Sequence, residues 1–522
     1  MGASPDDWVK VEFALTPTAG TQCVGIDVGS DPAVNCTQPT DELGHACVRC
    51  AGQFSLGLAS AGRVDLDYVW LQPGAWGRVG DLPVRKQTAE VLAQMGIRTI
   101  RLGGSFASVT AWPDGGGGTP PSDVSGEYYQ WQKWTGPPWL RPSVGAVWNA
   151  YSGDSYSLIG PFGPFEFLAM TMALGIEPIL TTTSSSTPAE LADLVEYCWG
   201  NASTPMGAKR AADGHAAPYT VKYFELGNEQ HNEQFVAQVA AMEARARTLG
   251  LGGTLTYIFP SNDGLTADEV NAAKASGVAA GQIATDVHVG ADGAIGKALD
   301  LFARYDAQGW AGAAINQETN AGTHNHARAL AEAADLNAFF SANASVQNRL
   351  LGRTASFCTS RSGHFDAFDQ GISFFLPNAS WLQPPGHVHA MIAATAQPNA
   401  LGVRLGGVGA GGGGAGVSAS AQASDDGSTV AVRVVYPLSS PVGPPGVNTS
   451  VDLRVSLGAG GRCAKCSAKG LWAADASLAN PSWAVDLVAP RELACGMGSD
   501  GRSAALDLPE LSYVVVEFTG CA

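Results

Sequence analysis

Two spacings of apolar residues divide the chain. From residue 8 to 75 apolar and polar positions alternate, as in Val9-Lys10-Val11-Glu12-Phe13 and Val64-Asp65-Leu66-Asp67-Tyr68-Val69-Trp70-Leu71, with Gly, Pro and Asp between the runs. A period of two puts one face of each segment on a core, which predicts part of a β-sandwich. From about residue 84 the pattern becomes helix then strand, repeatedly. Lys86 to Met95 and Phe165 to Leu174 have helical spacing, and each precedes a short apolar run. Such alternation predicts parallel strands joined by crossover helices. Seven strands are predicted, at 97–103, 176–182, 221–227, 254–259, 284–289, 313–318 and 371–376. A closed barrel of this kind has about eight. After residue 395 helical spacing stops, and Val430-Ala431-Val432-Arg433-Val434-Val435-Tyr436 and Tyr513-Val514-Val515-Val516-Glu517-Phe518 predict a C-terminal β-sandwich.

The predicted class is therefore α/β, a (β/α)8-type barrel short of its first strand over residues 77–395. A partial β-sandwich over 1–76 precedes it, and a second β-sandwich over 396–522 follows. The glycine run from Gly409 to Gly416 has no Gly-Lys-Ser/Thr ending and no strand-to-helix context, so it reads as a loop and not a phosphate cradle.

Composition narrows the function. The 522 residues are 45% hydrophobic, enough for a large barrel and a smaller domain. With 47 acidic against 30 basic side chains the net charge is -17, and no basic cluster offers a phosphate-binding surface, which argues against a nucleic-acid partner. No apolar stretch reaches the length of a membrane span, and the first residues lack the basic and apolar regions of a signal peptide. Cys23, Cys36, Cys47 and Cys50 lie early and Cys463, Cys466, Cys495 and Cys521 late, with Cys198 and Cys358 between. Two even clusters in strand-and-loop sequence predict disulfides in an oxidising compartment; the rival reading is zinc at the pairs Cys47/Cys50 and Cys463/Cys466. Asn35, Asn201, Asn343, Asn378 and Asn448 open glycosylation sequons. Together these predict an extracellular or cell-wall location.

The candidate chemistry sits at two strand ends. Phe224-Glu225-Leu226-Gly227-Asn228-Glu229 and Ala314-Ile315-Asn316-Gln317-Glu318 each close an apolar run on a glutamate. In a (β/α) barrel the C-terminal strand tips carry the catalytic groups. Two facing carboxylates are what glycoside hydrolysis needs, and a retaining mechanism places them roughly 5–5.5 Å apart. Glu229 is expected to be the general acid and then base, its pKa raised by burial and by a nearby negative charge; Glu318 is expected to stay ionised and attack the anomeric carbon. Asn228 can hold a sugar hydroxyl. Glu225, inside its strand, Glu233, beyond the turn, and Glu177 are read as structural or solvated.

His288 ends a strand placed two steps before that of Glu318, and can bond a carboxylate or the sugar, or be a satisfied core histidine. Arg101 opens Arg101-Leu102-Gly103-Gly104-Ser105, whose glycines, Gly104 among them, allow a close approach to ligand, while Arg101 itself can equally be a buried ion-pair partner. Trp381 and Gln383 are candidates for pocket lining, with packing the alternative. The loop from 106 to 160 carries Trp112, Trp131, Trp134, Trp139 and Trp148, whose flat rings suit sugar faces, though at least half should anchor the loop.

These residues resemble the α-L-arabinofuranosidases of glycoside hydrolase family 51 over nearly the whole chain. Asp7-Trp8-Val9-Lys10-Val11-Glu12 resembles the end of that family's inserted carbohydrate-binding-like sandwich. Ile100-Arg101-Leu102-Gly103-Gly104-Ser105 resembles its arginine and double-glycine strand, and Trp134-Thr135-Gly136-Pro137 with Arg141-Pro142 its next loop. Tyr197 through Glu229 carries the most specific likeness. The resemblance implies that Asn228 holds substrate, Glu229 supplies acid/base catalysis and Glu318 is the nucleophile. The chain departs from the family at Thr319, where tyrosine commonly follows the nucleophile, and at Val289-Gly290, where an aromatic often follows the histidine. The family's first strand and its substrate-contacting glutamate precede the inserted sandwich, in which this chain starts, so a truncated gene model or a fragment is expected, with unpaired barrel edges.

The resulting expectation is a retaining glycosidase that removes terminal arabinofuranosyl units from cell-wall polysaccharides or glycans, needing no metal or organic cofactor. The alternatives are the same carboxylate pair acting on xylose, glucan or a uronic acid, and a carbohydrate-binding barrel without turnover.

Overall fold

The computed structural model describes residues 72–104, 130–141, 162–290, 294–320, 323–342, 344–353, 361–362, 371–376, 379–404, 417–436, 451–456, 462–481 and 485–522. Apart from its last positions, the sandwich predicted over 1–76 lies outside them, as do Cys23, Cys36, Cys47, Cys50, Cys358, Trp112 and Trp148.

A seven-stranded parallel sheet organises the middle of the chain: β1 (Thr99–Leu102), β2 (Glu177–Thr182), β3 (Tyr223–Leu226), β4 (Thr256–Phe259), β5 (Ile283–Asp286), β6 (Ala313–Asn316) and β7 (Leu350–Arg353). The strands are hydrogen-bonded in chain order, each parallel to the next, as in a (β/α) barrel. Between successive strands run the helices Pro164–Leu174, Pro188–Trp199, Pro205–Ala212, Phe235–Thr248, Ala267–Ser276, Ala294–Ala307 and His326–Ser341. Their starts are written in the sequence. Thr187 and Thr266 each cap a helix by accepting the backbone N–H three residues on, while Glu190 and Glu269 reach back to the cap.

Seven strands are present, but the seventh differs from the expected one. Ser373–Leu376 lies in a separate three-stranded sheet, parallel to Arg361–Ser362 and antiparallel to Ala379–Leu382. The place beside β6 belongs to Leu350–Arg353, too short and too broken by Gly352 to stand out as an apolar run.

Alternation along the strands separates two layers. Outward residues such as Leu180, Phe224, Leu226, Tyr257 and Phe259 pack against Leu194, Val195, Phe235, Met242 and Val270 of the helices. Ile179, Ile258, Ala284, Ala313 and Ile315 form an inner apolar cluster with Tyr223 beside it. Two residues further along β2, β3 and β5, on the same inward face, come Thr181, Glu225 and Asp286. The barrel is thus apolar at mid-height and polar at the C-terminal rim.

The C-terminal region is β-structure, as expected. A six-stranded antiparallel sheet includes Ser418–Ala423, Thr429–Tyr436, Ser512–Thr519 and Lys465–Trp472, and a three-stranded sheet is built on Val451–Ser456 and Ser503–Leu508. Disulfides Cys463–Cys521 and Cys466–Cys495 consume the whole late cysteine cluster, which removes the zinc reading there. Loop-closure entropy assigns about 4 kcal/mol to such bridges.

The barrel is joined to this region by buried polar contacts. Asn480 donates its backbone N–H to Gln383 Oε1 (3.0 Å), and its carbonyl accepts from Gln383 Nε2 and Trp381 Nε1, both at 2.8 Å. Its side-chain amide donates to the carbonyls of Leu382 and Val488 and accepts from Val488 N–H. His326 Nε2 meets the Leu511 carbonyl at 2.6 Å.

Candidate active site

At the rim, Arg101 is the hub. Its Nε and Nη2 donate to the two carboxylate oxygens of Glu225 at 2.7 and 2.8 Å, Nη2 also donates to Asn228 Oδ1, and Nη1 donates to Glu318 Oε2 at 3.2 Å. Thr181 adds a hydroxyl to Glu225. Gly103 makes this possible by close approach: a Cβ there would lie 1.9 Å from Thr181 Oγ1. Burial works against the guanidinium charge, but Glu225, Asp286 and Glu318 outweigh it and push the Arg101 pKa up. Glu225 is fully buried within this pair, so it serves the site as framework. Glu233 is exposed and Glu177 pairs with Lys222 at the opposite end of its strand, as the structural and solvated readings hold.

Glu229 reaches the rim through a turn. Gly227 has φ +122° and Glu229 itself sits at φ +50°, a left-handed conformation for a non-glycine residue. That costs a side-chain-bearing residue about 1–2 kcal/mol and is typical of functional turns. A Cβ on Gly227 would press on Pro260 and Ser184, at 3.1 and 3.2 Å.

Glu318 follows β6, its N–H held by Asn316 Oδ1 at 3.1 Å and that of Gln317 by Asp286 Oδ1 at 3.0 Å. His288 follows β5, which pairs directly with β6, so it is on the adjacent strand and not two steps away. Beyond the strands, Val289–Gly290 pairs in parallel with Thr319–Asn320, which ties the segment after His288 to the one after Glu318.

These elements converge. His288 Nδ1 lies 3.1 Å from Glu229 Oε1, and Nε2 lies 2.5 Å from Asp286 Oδ2 and 3.7 Å from Glu318 Oε2. Ligand atoms of Glu229, His288 and Glu318 all fall within 4.8 Å of one another. That spacing can suit a divalent cation, but Nδ1 of His288 already bonds Glu229 and Nε2 lies against Asp286 and Glu318, so the three are better described as a cluster of ion pairs.

The electrostatics reverse the expected order of the two acids. The His288 hydrogen bond lowers the pKa of Glu229, whose side chain is 50% exposed, while burial raises that of Glu318, which is 8% exposed. Burial disfavours the His288 cation, yet Asp286 and the two glutamates carry its pKa up to about 10. The expected negative neighbour of Glu229 is present, but a charged imidazole stands between the carboxylates.

Other predicted residues are placed differently. Asn228 is buried beside Arg101, and Gly104 (φ +80°) lies next to the guanidinium. Trp134 is packed in the main core, where a Cβ on Gly163 would lie 2.2 Å from its ring, and Trp131 donates to the Glu190 carbonyl. Both anchor the loop, and Trp134 is not free to hold a sugar; Trp139 is 42% exposed. Gln383 and Trp381 spend their polar atoms on Asn480 and are structural ties. Asp286 was not singled out among the candidates. Its signal was the i, i+2 spacing to His288, which puts both on the inward face.

Residues 107–289 match the family model described as the alpha-L-arabinofuranosidase 1 domain. Among curated proteins, probable alpha-L-arabinofuranosidase C of Aspergillus clavatus is 30% identical over 190 residues, 34% of this chain and 33% of that protein. The intracellular exo-alpha-L-arabinofuranosidase of Bacteroides ovatus is 32% identical over 123 residues, 23% of this chain and 21% of that protein. Matches to the first of these relatives thus span about a third of their length. The crystal structure of a family 51 arabinofuranosidase from Xanthomonas axonopodis superposes with a TM-score of 0.60 at 18% identity, covering 85% of this chain and 92% of that one. The family 51 alpha-L-arabinofuranosidase of Bifidobacterium longum gives 0.59 at 15% identity, covering 84% and 91%. The chain thus shares an arabinofuranosidase domain signature over residues 107–289 and, over most of its length, the fold of the family 51 structures.

Proposed function

We propose that the chain is a retaining glycoside hydrolase that removes terminal α-L-arabinofuranosyl residues from cell-wall polysaccharides or glycans, with Glu318 as nucleophile and Glu229 as acid/base. The observation that carries this reading is the approach of the Glu229 and Glu318 carboxylates to within 4.8 Å at one rim. It suits a direct attack on the sugar, for which retaining enzymes hold the groups roughly 5–5.5 Å apart, and leaves too little room for the water an inverting enzyme places between them.

Glu318 attacks the anomeric carbon while Glu229 protonates the departing oxygen; water, deprotonated by Glu229, then releases the sugar from Glu318. Arg101 and His288 offset the burial of Glu318 and favour the ionised form that attacks. Asn228, fixed by Arg101, remains the candidate for a substrate hydroxyl. Two disulfides and an exposed sequon at Asn201 support an extracellular or cell-wall location, and no helix among the described residues is long and apolar enough to cross a membrane.

The test is turnover of 4-nitrophenyl α-L-arabinofuranoside beside the matching xyloside, glucoside and glucuronide. Preference for arabinofuranoside, abolished in Glu318→Ala, is expected. Preference for another sugar would reassign the substrate, and normal turnover by Glu318→Ala would remove that residue from the nucleophile role. Sugar binding without any turnover would favour the non-catalytic barrel.

A further inference from the structure

Packing alone does not hold Glu229. Its side chain is half-exposed, and its backbone keeps a left-handed φ of +50°, which a residue with a Cβ leaves for the right-handed region when nothing prevents it. The residues on either side of it are fixed instead. Asn228 accepts from Arg101 Nη2 through its Oδ1. On the other side, the Gln230 backbone N–H donates to the Pro260 carbonyl at 3.1 Å, and its side-chain amide donates to the Ser184 hydroxyl. Pro260 directly follows β4, and Ser184 lies two residues beyond β2. Gln230 thus pins the turn after β3 to the loops of both neighbouring strands. We propose that Gln230, acting with Ser184, is a positioning residue that keeps the acid/base Glu229 in its left-handed turn and so aims the carboxyl at Glu318. This deepens the glycosidase reading and rests on it.

The anchor is itself built in. The Ser184 carbonyl accepts from Gln238 Nε2 at 3.0 Å, and Gln238 Oε1 accepts from Asn232 Nδ2 at 2.8 Å. The same Asn232 nitrogen donates at 2.7 Å to the carbonyl of Leu226, the last residue of β3. Gln238 belongs to helix Phe235–Thr248, so helix, turn and rim loops share one polar frame. Gly227 leaves room for the clamp: a Cβ on it would lie 3.4 Å from Gln230 Nε2 and 3.2 Å from Ser184 Cβ.

Releasing the clamp has a geometric consequence. Taking φ of Glu229 from +50° to the helical value of about −60° swings its Cβ through roughly 110° relative to the preceding chain. With Asn228 held by Arg101, the carboxyl then leaves its place 3.1 Å from His288 Nδ1 and its approach to Glu318. The left-handed form is disfavoured on the order of tenfold for a residue with a Cβ, so without the clamp the aimed conformer becomes the minority.

Gln230→Ala and Ser184→Ala each remove the side-chain bond. The second deletes a single oxygen atom and carries the test if the first does not fold. Two readouts are taken on folded protein: the φ of Glu229 in crystal structures of the variants, and kcat/KM for phenyl and dinitrophenyl arabinofuranosides. The phenyl substrate needs a proton on its leaving oxygen and the dinitrophenyl substrate does not. Each variant should lose on the order of tenfold on the phenyl substrate and little on the other. The double variant should lose no more than the worse single one, because both residues serve one bond. In the crystals Glu229 should have moved to negative φ. Glu229 still near +50° there, no loss on the phenyl substrate, an equal loss on both substrates, or losses that add in the double variant would each overturn the proposal. No turnover at all by the unaltered chain would sink the glycosidase reading instead, while the crystal structures still report on the clamp.

Discussion

Arg101 shows how far a single side chain can be read ahead of structure. An arginine at a strand end before two glycines offers two readings, ligand contact or ion pair, and the structure chooses the second while leaving it against Glu318. Arg101→Lys keeps the charge but cannot reproduce the planar fork that meets both Glu225 oxygens. Leaving Glu225 incompletely paired in the interior should cost on the order of 3 kcal/mol, measured by urea unfolding, together with lost activity. His288 gives a pH signature. Its folded-state pKa, about 10, lies above the ordinary 6.5, so its stabilisation is complete below 6.5 and disappears as pH rises through 10. Unfolding free energy should therefore decline between those values in the unaltered chain, and His288→Gln should lose that decline. Glu229, Glu318, Asn228 and His288 were legible because strand-end position alone brings them to one rim. Asp286 was not, since its one signal, the i, i+2 spacing to His288, puts it on the inward face without saying which groups it meets there. Trp134 and Gln383 were misplaced because sequence does not tell a ring or amide lining a cleft from one packed beneath it.

At the scale of elements, the period of the apolar pattern was enough for six of the parallel strands and their helices, whose caps are local. It was insufficient for β7, where four residues containing a glycine and an arginine hold the edge place and the more apolar Ser373–Leu376 does not. Pairing of non-neighbouring segments is decided by three-dimensional closure, which no short window contains. The same holds for close approach. The glycines at 103 and 104 suggested access for a ligand, whereas Gly103 admits Thr181. Gly103→Ala would drive a methyl into that hydroxyl and displace it from Glu225. We expect a loss of about 1–3 kcal/mol by thermal melting, with turnover falling more than stability because Glu225 aligns Arg101.

For the whole molecule, the sequence divides cleanly into helical and strand-rich regions, and the late cysteines find one another within the second. What spacing could not disclose is how the regions meet. Asn480 is the junction: its four polar groups bind backbone or side chains of Trp381, Leu382, Gln383 and Val488 in the dry interior. Pulling the two regions apart would break the four bonds to Trp381, Leu382 and Gln383 at once, each stranded group costing about 1–3 kcal/mol. Heat should therefore dismantle barrel and sheet in a single calorimetric peak, and Asn480→Ala, which keeps the three backbone bonds and loses the one to the Leu382 carbonyl, should move that peak to lower temperature. A seam of this kind makes the C-terminal sheet less an appendage than a buttress, so that the rim carrying Glu229 and Glu318 owes its rigidity in part to residues more than 150 positions downstream.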